Sequence, residues 1–440
     1  MPFWTPQVRE ICVRSWPPPT PFTPGDHVTL PDLEDTDPRL HRPIVRPRTP
    51  VRPGYPAGWR RLRIAMVGQK GMPATYGGIE RHVEEMSARL VALGHEVTVY
   101  CRDSYDALPM DEYRGVRLRR ARTVASKHLD AIVHIGTATV AALSDRPDIL
   151  HYHGIGPALI APLPRYLSRV PVVQTIHGLD NQRAKWNRLA RAALGTAHWL
   201  SGRVPDVRIA VSRTLAAHYR ERFGTDTRYV PNGVADPRRV PAHQITSRFG
   251  LTPGGYLLLV GRLVPEKSAD LLIRAFRRLP EQINGGRLRL AIVGGSSFTD
   301  DYVATLRAAA GGDPRIVFTG FAYGDLIAEL YTHALAFVQP SRLEGLPLTL
   351  LEAGSYGLPL VASDIQPHRE LLGQDGPGHR LFRDGDGDDL VRALARVLAD
   401  PHGERFGAHV HGSRLRSHYT WDAAARDVEH IYLSLVGKRR

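Results

Sequence analysis

Residues 62–100 read LRIAMVGQKGMPATYGGIERHVEEMSARLVALGHEVTVY, and this stretch decides the fold. Residues 62–68 are a short apolar run of the kind that fills a parallel strand buried on both faces. A glycine-rich loop follows over 69–78. Ile79, Val83, Met86 and Leu90 then recur at helical spacing, and Gly94 ends the helix. Residues 95–100 return to strand. Strand, glycine loop, helix, strand is a mononucleotide-binding βαβ unit.

Outward from this unit, strand-like runs recur at 148–151, 172–176, 207–211 and 227–230. The pattern restarts after residue 240: strand at 256–260, helix at 269–277, strand at 288–293 before Gly294 and Gly295, and further strands at 316–319, 335–339 and 359–362. The expected architecture is α/β, with two facing Rossmann-like domains (61–240 and 241–420), a hinge near 232–241 and an interdomain cleft. Doubly wound sheets bind ligands at the carboxyl ends of their strands, so two facing sheets place a site between them. A terminal helix is expected from Trp421 to Leu435, with 421–440 packing back on the first domain. Residues 1–60 hold 14 of the 35 prolines and read as an irregular Pro/Arg-rich extension, because proline lacks an N–H and restricts its predecessor.

The chain has 440 residues, long enough for more than one domain, and 42% hydrophobic against 23% charged residues is a globular balance. Net charge is +14, divided as +4 over 1–63, +9 over 64–240 and +1 over 241–440. Arginine supplies 53 of the 58 basic residues, which discounts any arginine cluster as a signal on its own. Two cysteines are too few for a disulfide framework or a cysteine zinc site. No apolar run reaches eighteen residues and the start lacks an apolar h-region, so a cytoplasmic location is expected.

Two segments carry chemistry. Residues 261–267 read GRLVPEK directly after a strand. Arg262 offers a planar fork and Lys267 a compact charge for phosphate, and Lys267 is one of five lysines in an arginine-biased chain. Lys267 is expected to be an exposed cleft residue. Residues 341–352 read SRLEGLPLTLLE. Glu344 is expected in the loop and Glu352 about two turns into the following helix, so that two carboxylates face one cleft. The amides near Gly345 and Leu346 then lie at a helix N-terminus, where an anion is favoured.

With these residues in place, the chain resembles the retaining GT-B glycosyltransferases of family 4, over about residues 63–364. The matching stretches include the βαβ unit through Arg102, QTIHGLD, VPNGV, LLLVGRLVPEKSADLLIRAF, VFTGF and FVQPSRLEGLPLTLLEAGSYGLPLVASD. The first is also similar to the subgroup found in bacterial envelope and exopolysaccharide synthesis. The resemblance implies transfer of a sugar from a nucleoside-diphosphate sugar, UDP- or GDP-linked by default, to a saccharide, lipid-linked or small-molecule acceptor, with no cofactor and no metal. It implies that Arg262 and Lys267 hold the diphosphate, that Glu344 reaches sugar hydroxyls, and that Glu352 accepts from the ribose. Gly78, Gly261, Gly294, Gly345 and Leu346 complete the donor site. Gly77, Gly78, His153 and Asn232 fall to the acceptor side, and His177 lies by the transferred sugar. The catalytic candidates are thus His177, Arg262, Lys267 and Glu344. The family's usual Gly-aromatic-Gly after the first glutamate is here Gly345-Leu346-Pro347, and Pro347 removes one amide from the anion cradle.

Other signals carry less. Residues 384–389 (DGDGDD) read as a helix cap rather than a metal loop. His151 and His153 are expected on opposite faces of their strand and so are set aside as joint metal ligands. Residues 181–203 read as a basic amphipathic helix, with Trp186, Leu189, Ala193 and Leu200 flanked by Arg183, Lys185, Arg188 and Arg191. Such a helix suits an anionic membrane surface, and a polyprenyl-diphosphate-linked acceptor at its inner face is the corresponding expectation. A GT-B sugar-nucleotide epimerase or phosphorylase, and a non-catalytic basic binding protein, are the alternatives. No nucleic-acid motif accompanies the charge, so no nucleic-acid partner is expected, and the sequence assigns no oligomeric state.

Overall fold

The computed structural model describes residues 60–75, 77–105, 110–124, 130–179, 188–283, 286–296 and 299–437. The Pro/Arg-rich extension up to residue 59 lies outside the described residues, as do Arg183, Lys185 and Trp186 of the expected basic helix, of which Arg188–Ser201 is helical.

Among the described residues, the first half forms an eight-stranded sheet. Its order across the sheet is Glu112–Tyr113, Val116–Ala121, Glu96–Arg102, Arg63–Val67, Ile149–His153, Val172–Ile176, Val207–Ala210 and Arg228–Tyr229. All pairings are parallel except the hairpin at the first edge. The central strands Ile149–His153 and Val172–Ile176 are buried along their whole length, as helices on both faces of a parallel sheet require. Val116–Ala121 alternates between buried and exposed positions, so its VRLRRA sequence carries too much charge for a continuous apolar run to reveal it. The second half forms a six-stranded parallel sheet in the order Ile316–Gly320, Arg289–Val293, Tyr256–Val260, Ala336–Gln339, Leu360–Ser363 and His379–Phe382.

Each sheet reverses its winding once. In the first lobe the reversal lies between Arg63–Val67 and Ile149–His153, and in the second between Tyr256–Val260 and Ala336–Gln339. At such a point the connections leave in opposite directions and open a crevice at the carboxyl ends of the strands. The four loops that leave these four strands are the glycine loop, the HYHG turn, GRLVPEK and SRLEG.

The chain passes between the lobes twice, at one place. Val234 N donates to Tyr419 O at 2.9 Å, and Val234 bridges Thr420. The helix Trp421–Gly437 then packs on Gly78–Ala92 of the first lobe. Arg89 Nε donates to Asp422 at 2.7 Å, and the Tyr432 hydroxyl lies 2.5 Å from His151 Nδ1. At the crossing, a Cβ on Gly233 would stand 2.1 Å from Trp421 N. Gly233→Ala should therefore push the two passes apart and cost about 1–3 kcal/mol, the usual range for overpacking. A thermal melt that matches the parent would show that the crossing tolerates a side chain.

Candidate active site

The four loops face one another across a cavity of about 1220 Å³. It brings together every candidate named above: Gly77, Gly78, His153, His177 and Asn232 from the first lobe, and Gly261, Arg262, Lys267, Gly294, Glu344, Gly345, Leu346 and Glu352 from the second.

On the second-lobe wall, Tyr256–Val260 ends at Gly261, and a short 3-10 turn, Pro265–Lys267, lifts Lys267 into the cavity. Ser268 adopts a left-handed φ of 49° and redirects the chain into the helix Ala269–Phe276. Arg342 N donates to Glu266 O at 2.9 Å, which ties this turn to the loop that carries Glu344. Gly294 has φ +133°, and a Cβ there would stand 1.9 Å from Gly261 O. Two strand-end loops thus meet backbone to backbone, which only glycine permits. Arg262 is half-buried at the cavity wall.

Lys267 Nζ donates to Glu344 Oε1 at 2.5 Å, with side-chain exposures of 19% and 10%. Lys267 is therefore not the exposed cleft residue that its loop position suggested: the facing carboxylate draws it into the wall. Gln339 Nε2 donates to the same oxygen at 2.6 Å and is itself oriented by Thr349 Oγ1 at 3.0 Å. Burial opposes ionisation of Glu344, but the Lys267 ammonium and its hydrogen bond outweigh it and hold the carboxyl below the usual range. Glu352 behaves oppositely. Its burial pushes the carboxyl above the usual range, against the Arg81 guanidinium and the hydroxyl of Tyr331, which donates to Glu352 at 3.3 Å. Glu352 sits fifth in Leu348–Ser355, just over one turn in rather than two, because Pro347 caps the helix and delays its start.

The lobes approach backbone to backbone at Gly345, where a Cβ would stand 1.9 Å from His177 O. That glycine is required by the approach of the two lobes. On the first-lobe side, Gly77 caps the helix Gly78–Ala92 at φ 104°. Glu80 and Glu84 of that helix accept from the backbone of Lys70 and Ala74, at 3.2 and 2.7 Å, and so pin the glycine loop.

His153 and His177 line the cavity floor, and His82 and His151 lie buried behind them. His151 and His153 share one face of their strand, with ring centroids 4.2 Å apart. The expectation of opposite faces is corrected: positions two apart along a strand point the same way. His153 Nδ1 lies 3.3 Å from His177 Nε2. His82, which no motif singled out, packs edge-on to His177 at 4.5 Å and places Nδ1 2.6 Å from Asn232 Oδ1. Burial drives the His82 imidazole down to about 4, against the Asn232 hydrogen bond. Burial and then the neighbouring histidines put His153 and His177 well below the ordinary value. All three are neutral at pH 7. The helical spacing over 79–93 rests on apolar positions, and His82 is not one of them. His82 is the fifth residue of the helix and lies buried behind the cavity wall, and nothing in its local sequence marks it out.

Lys70, Arg81 and Arg102 also line the cavity, as do Phe321 and Tyr323, whose rings stack with centroids 6.3 Å apart. The acidic run near 384–389 is a cap: Asp386 accepts from Asp389 N at 2.9 Å and starts Gly387–Ala399.

Comparison with known proteins places both halves. Residues 76–238 match the family described as "Glycosyltransferase Family 4", and residues 250–409 match "Glycosyl transferases group 1". The glycogen synthase of Mycobacterium tuberculosis is 30% identical, over 85% of this chain and 95% of its own length. A GDP-mannose-dependent alpha-(1-6)-phosphatidylinositol monomannoside mannosyltransferase of Mycolicibacterium smegmatis is 32% identical, over 75% of this chain and 87% of its own. The Anabaena protein HepE, solved with UDP-glucose, superimposes with a TM-score of 0.70 at 18% identity, over 85% of this chain and all of its own. The approach at Gly345 makes a definite demand on activity. Gly345→Ala should lower glycosyl transfer roughly 100-fold, since misplacing reacting groups by an ångström has that effect. An unchanged kcat in a steady-state assay would show that the lobes do not meet there during turnover.

Proposed function

Because the chain belongs to the family 4 glycosyltransferases of the GT-B fold, we propose that it moves a sugar from a nucleoside-diphosphate sugar to a saccharide, lipid-linked or small-molecule acceptor, with retention of configuration and without a metal. The observation that carries this reading is the convergence of Arg262, Lys267, Glu344 and Glu352 on one cavity, at the winding reversal of the second sheet.

The chemistry follows from where charge develops. Breaking the glycosyl–phosphate bond leaves positive charge at the anomeric carbon and negative charge on the diphosphate. Lys267 donates one N–H to Glu344, and the ammonium has further N–H groups for the leaving phosphate. Arg262 adds a second fixed cation at the same wall. These cations do for the leaving group what a divalent metal does elsewhere. Glu344, kept ionised by Lys267, accepts from donor-sugar hydroxyls and stabilises the positive carbon. Glu352 accepts from the ribose. A neutral His177 suits a place beside a developing cation, where an imidazolium would repel it. Phe321 and Tyr323 present exposed, parallel rings at the mouth, a surface for the base of a UDP or GDP donor.

The first lobe receives the acceptor in this reading, through Gly77, Gly78, His153 and Asn232, and carries +9 of the charge. No helix of the described residues is long and apolar enough to cross a membrane. The short helix Pro162–Leu167 nevertheless leaves Leu163, Tyr166 and Leu167 exposed beside Arg165 and Arg169, and Trp199 is exposed beneath Arg203. Apolar side chains ringed by arginine suit an anionic bilayer, which supports a polyprenyl-diphosphate-linked acceptor met at the inner membrane face.

Lys267→Ala should reduce turnover by about 10²–10³-fold, the cost of one leaving-group contact, while the parent keeps its rate in excess EDTA. Combined with Glu344→Gln the loss should be less than additive, because the two residues act through one contact. Full turnover by the lysine variant would end the phosphate assignment. For the membrane reading, the protein should float with anionic vesicles at low salt and be released by high salt. Equal recovery with neutral vesicles would count against it.

A further inference from the structure

Under the cavity floor, three imidazoles arrive from three elements: His82 from the helix Gly78–Ala92, His153 from the strand Ile149–His153 and His177 from the loop after Val172–Ile176. One ring nitrogen of each lies within 4.8 Å of the other two. For His82 and His153 the outer partners decide which nitrogens carry protons. His82 Nδ1 faces the carbonyl oxygen of Asn232, which can only accept, so the proton sits on Nδ1 and Nε2 is a bare lone pair. That Nε2 is buried with no hydrogen-bond partner, on a residue 2% exposed. Leaving a buried acceptor unpaired normally destabilises a fold, so an orphan nitrogen on a ring clustered with two other imidazoles points to a ligand. His153 Nε2 faces Met66 Sδ at 3.2 Å, a weak acceptor, which leaves Nδ1 to present its lone pair inward.

We propose that His82, His153 and His177 bind one divalent transition metal ion of the zinc class, with a fourth position open to the cavity. Zn–N bonds of about 2.0–2.1 Å set two nitrogens of a tetrahedral ion about 3.3 Å apart. His153 Nδ1 and His177 Nε2 already stand at 3.3 Å. The nitrogen of His82 stands within 4.8 Å of both. Asn232 behind His82 supplies the outer hydrogen bond that metal-ligating histidines characteristically make. His151 is not a fourth ligand, since Tyr432 and Thr175 occupy its two nitrogens at 2.5 and 2.7 Å. It backs the His153 ring instead. An all-imidazole set selects zinc, copper, nickel or cobalt over magnesium and calcium. The proposed leaving-group chemistry asks nothing of this ion. A filled site would occupy His177 Nε2 and withhold it from the donor sugar, making the ion an inhibitor. That consequence rests on the reading of His177 given above, whereas the binding itself does not.

The test is a cobalt(II) titration of the full chain after chelator treatment, read in the visible spectrum. The expected result is the d–d bands of four-coordinate cobalt, saturating at one ion per chain and displaced by zinc. His82→Ala should weaken binding more than about 100-fold, since even outer-shell partners are worth 10–100-fold. His82 is buried, so His177→Ala, on a half-buried loop, makes the same test if the first variant does not fold. A spectrum that stays that of hydrated cobalt would overturn the site. Bands of unchanged affinity in a folded variant would also overturn it, assigning the ion to others of the 20 histidines. Zinc that binds through these residues yet leaves glycosyl transfer at its full rate would overturn the inhibitory consequence alone.

Discussion

An ammonium and a carboxylate held 2.5 Å apart, and largely out of water, organise the second-lobe wall. Lys267 comes from the loop after one strand and Glu344 from the loop after its neighbour, on either side of the winding reversal. Removing one partner would strand a charge in a poorly solvated wall, so each loop holds the other in place. Gln339 and Thr349 extend the arrangement into the following helix. The proposed reaction gains from this, because the cation is already desolvated and oriented before a ligand enters.

Glycine sets the second constraint. Gly294 lets two strand-end loops touch within one lobe, Gly345 lets the two lobes touch, and Gly233 lets the two passes of chain between the lobes touch. In each case the atom that a Cβ would strike is backbone, which cannot rotate away. The lobes therefore meet at their crossing and again at the cavity, which limits how they can rearrange around a ligand. The terminal helix Trp421–Gly437 adds to this, since it reaches across to the first lobe and buries Tyr432 against His151 beneath the histidine floor.

The histidine floor follows from burial more than from charge. Burial, and after it the neighbouring rings, holds the His153 and His177 imidazoles well below their ordinary value and so neutral. A neutral floor under a site that develops positive charge is consistent with sugar transfer. The same neutrality makes the ring nitrogens competent metal ligands. One physical cause thus underlies both the proposed reaction and the proposed metal site.

Local pattern was enough for much of this protein. Continuous apolar runs located most of the buried strands, because a parallel strand covered on both faces has no solvent-facing positions. The glycine loop and the spacing of Glu344 and Glu352 named residues that all line the cavity. Where the pattern misled, apart from the strand face of His151 and His153, the cause was tertiary. The charged strand Val116–Ala121 forms by pairing on both sides, the burial of Lys267 comes from a carboxylate 77 positions away in sequence, and His82 reads as one polar residue of an amphipathic helix. Sequence by itself determined the two-lobed α/β plan and which side chains stand at strand ends, since both depend on interactions among near neighbours. Which of those side chains pair, which stay neutral and which glycines cannot be replaced was decided by the approach of segments far apart in the chain, because burial and contact exist only once the lobes are packed.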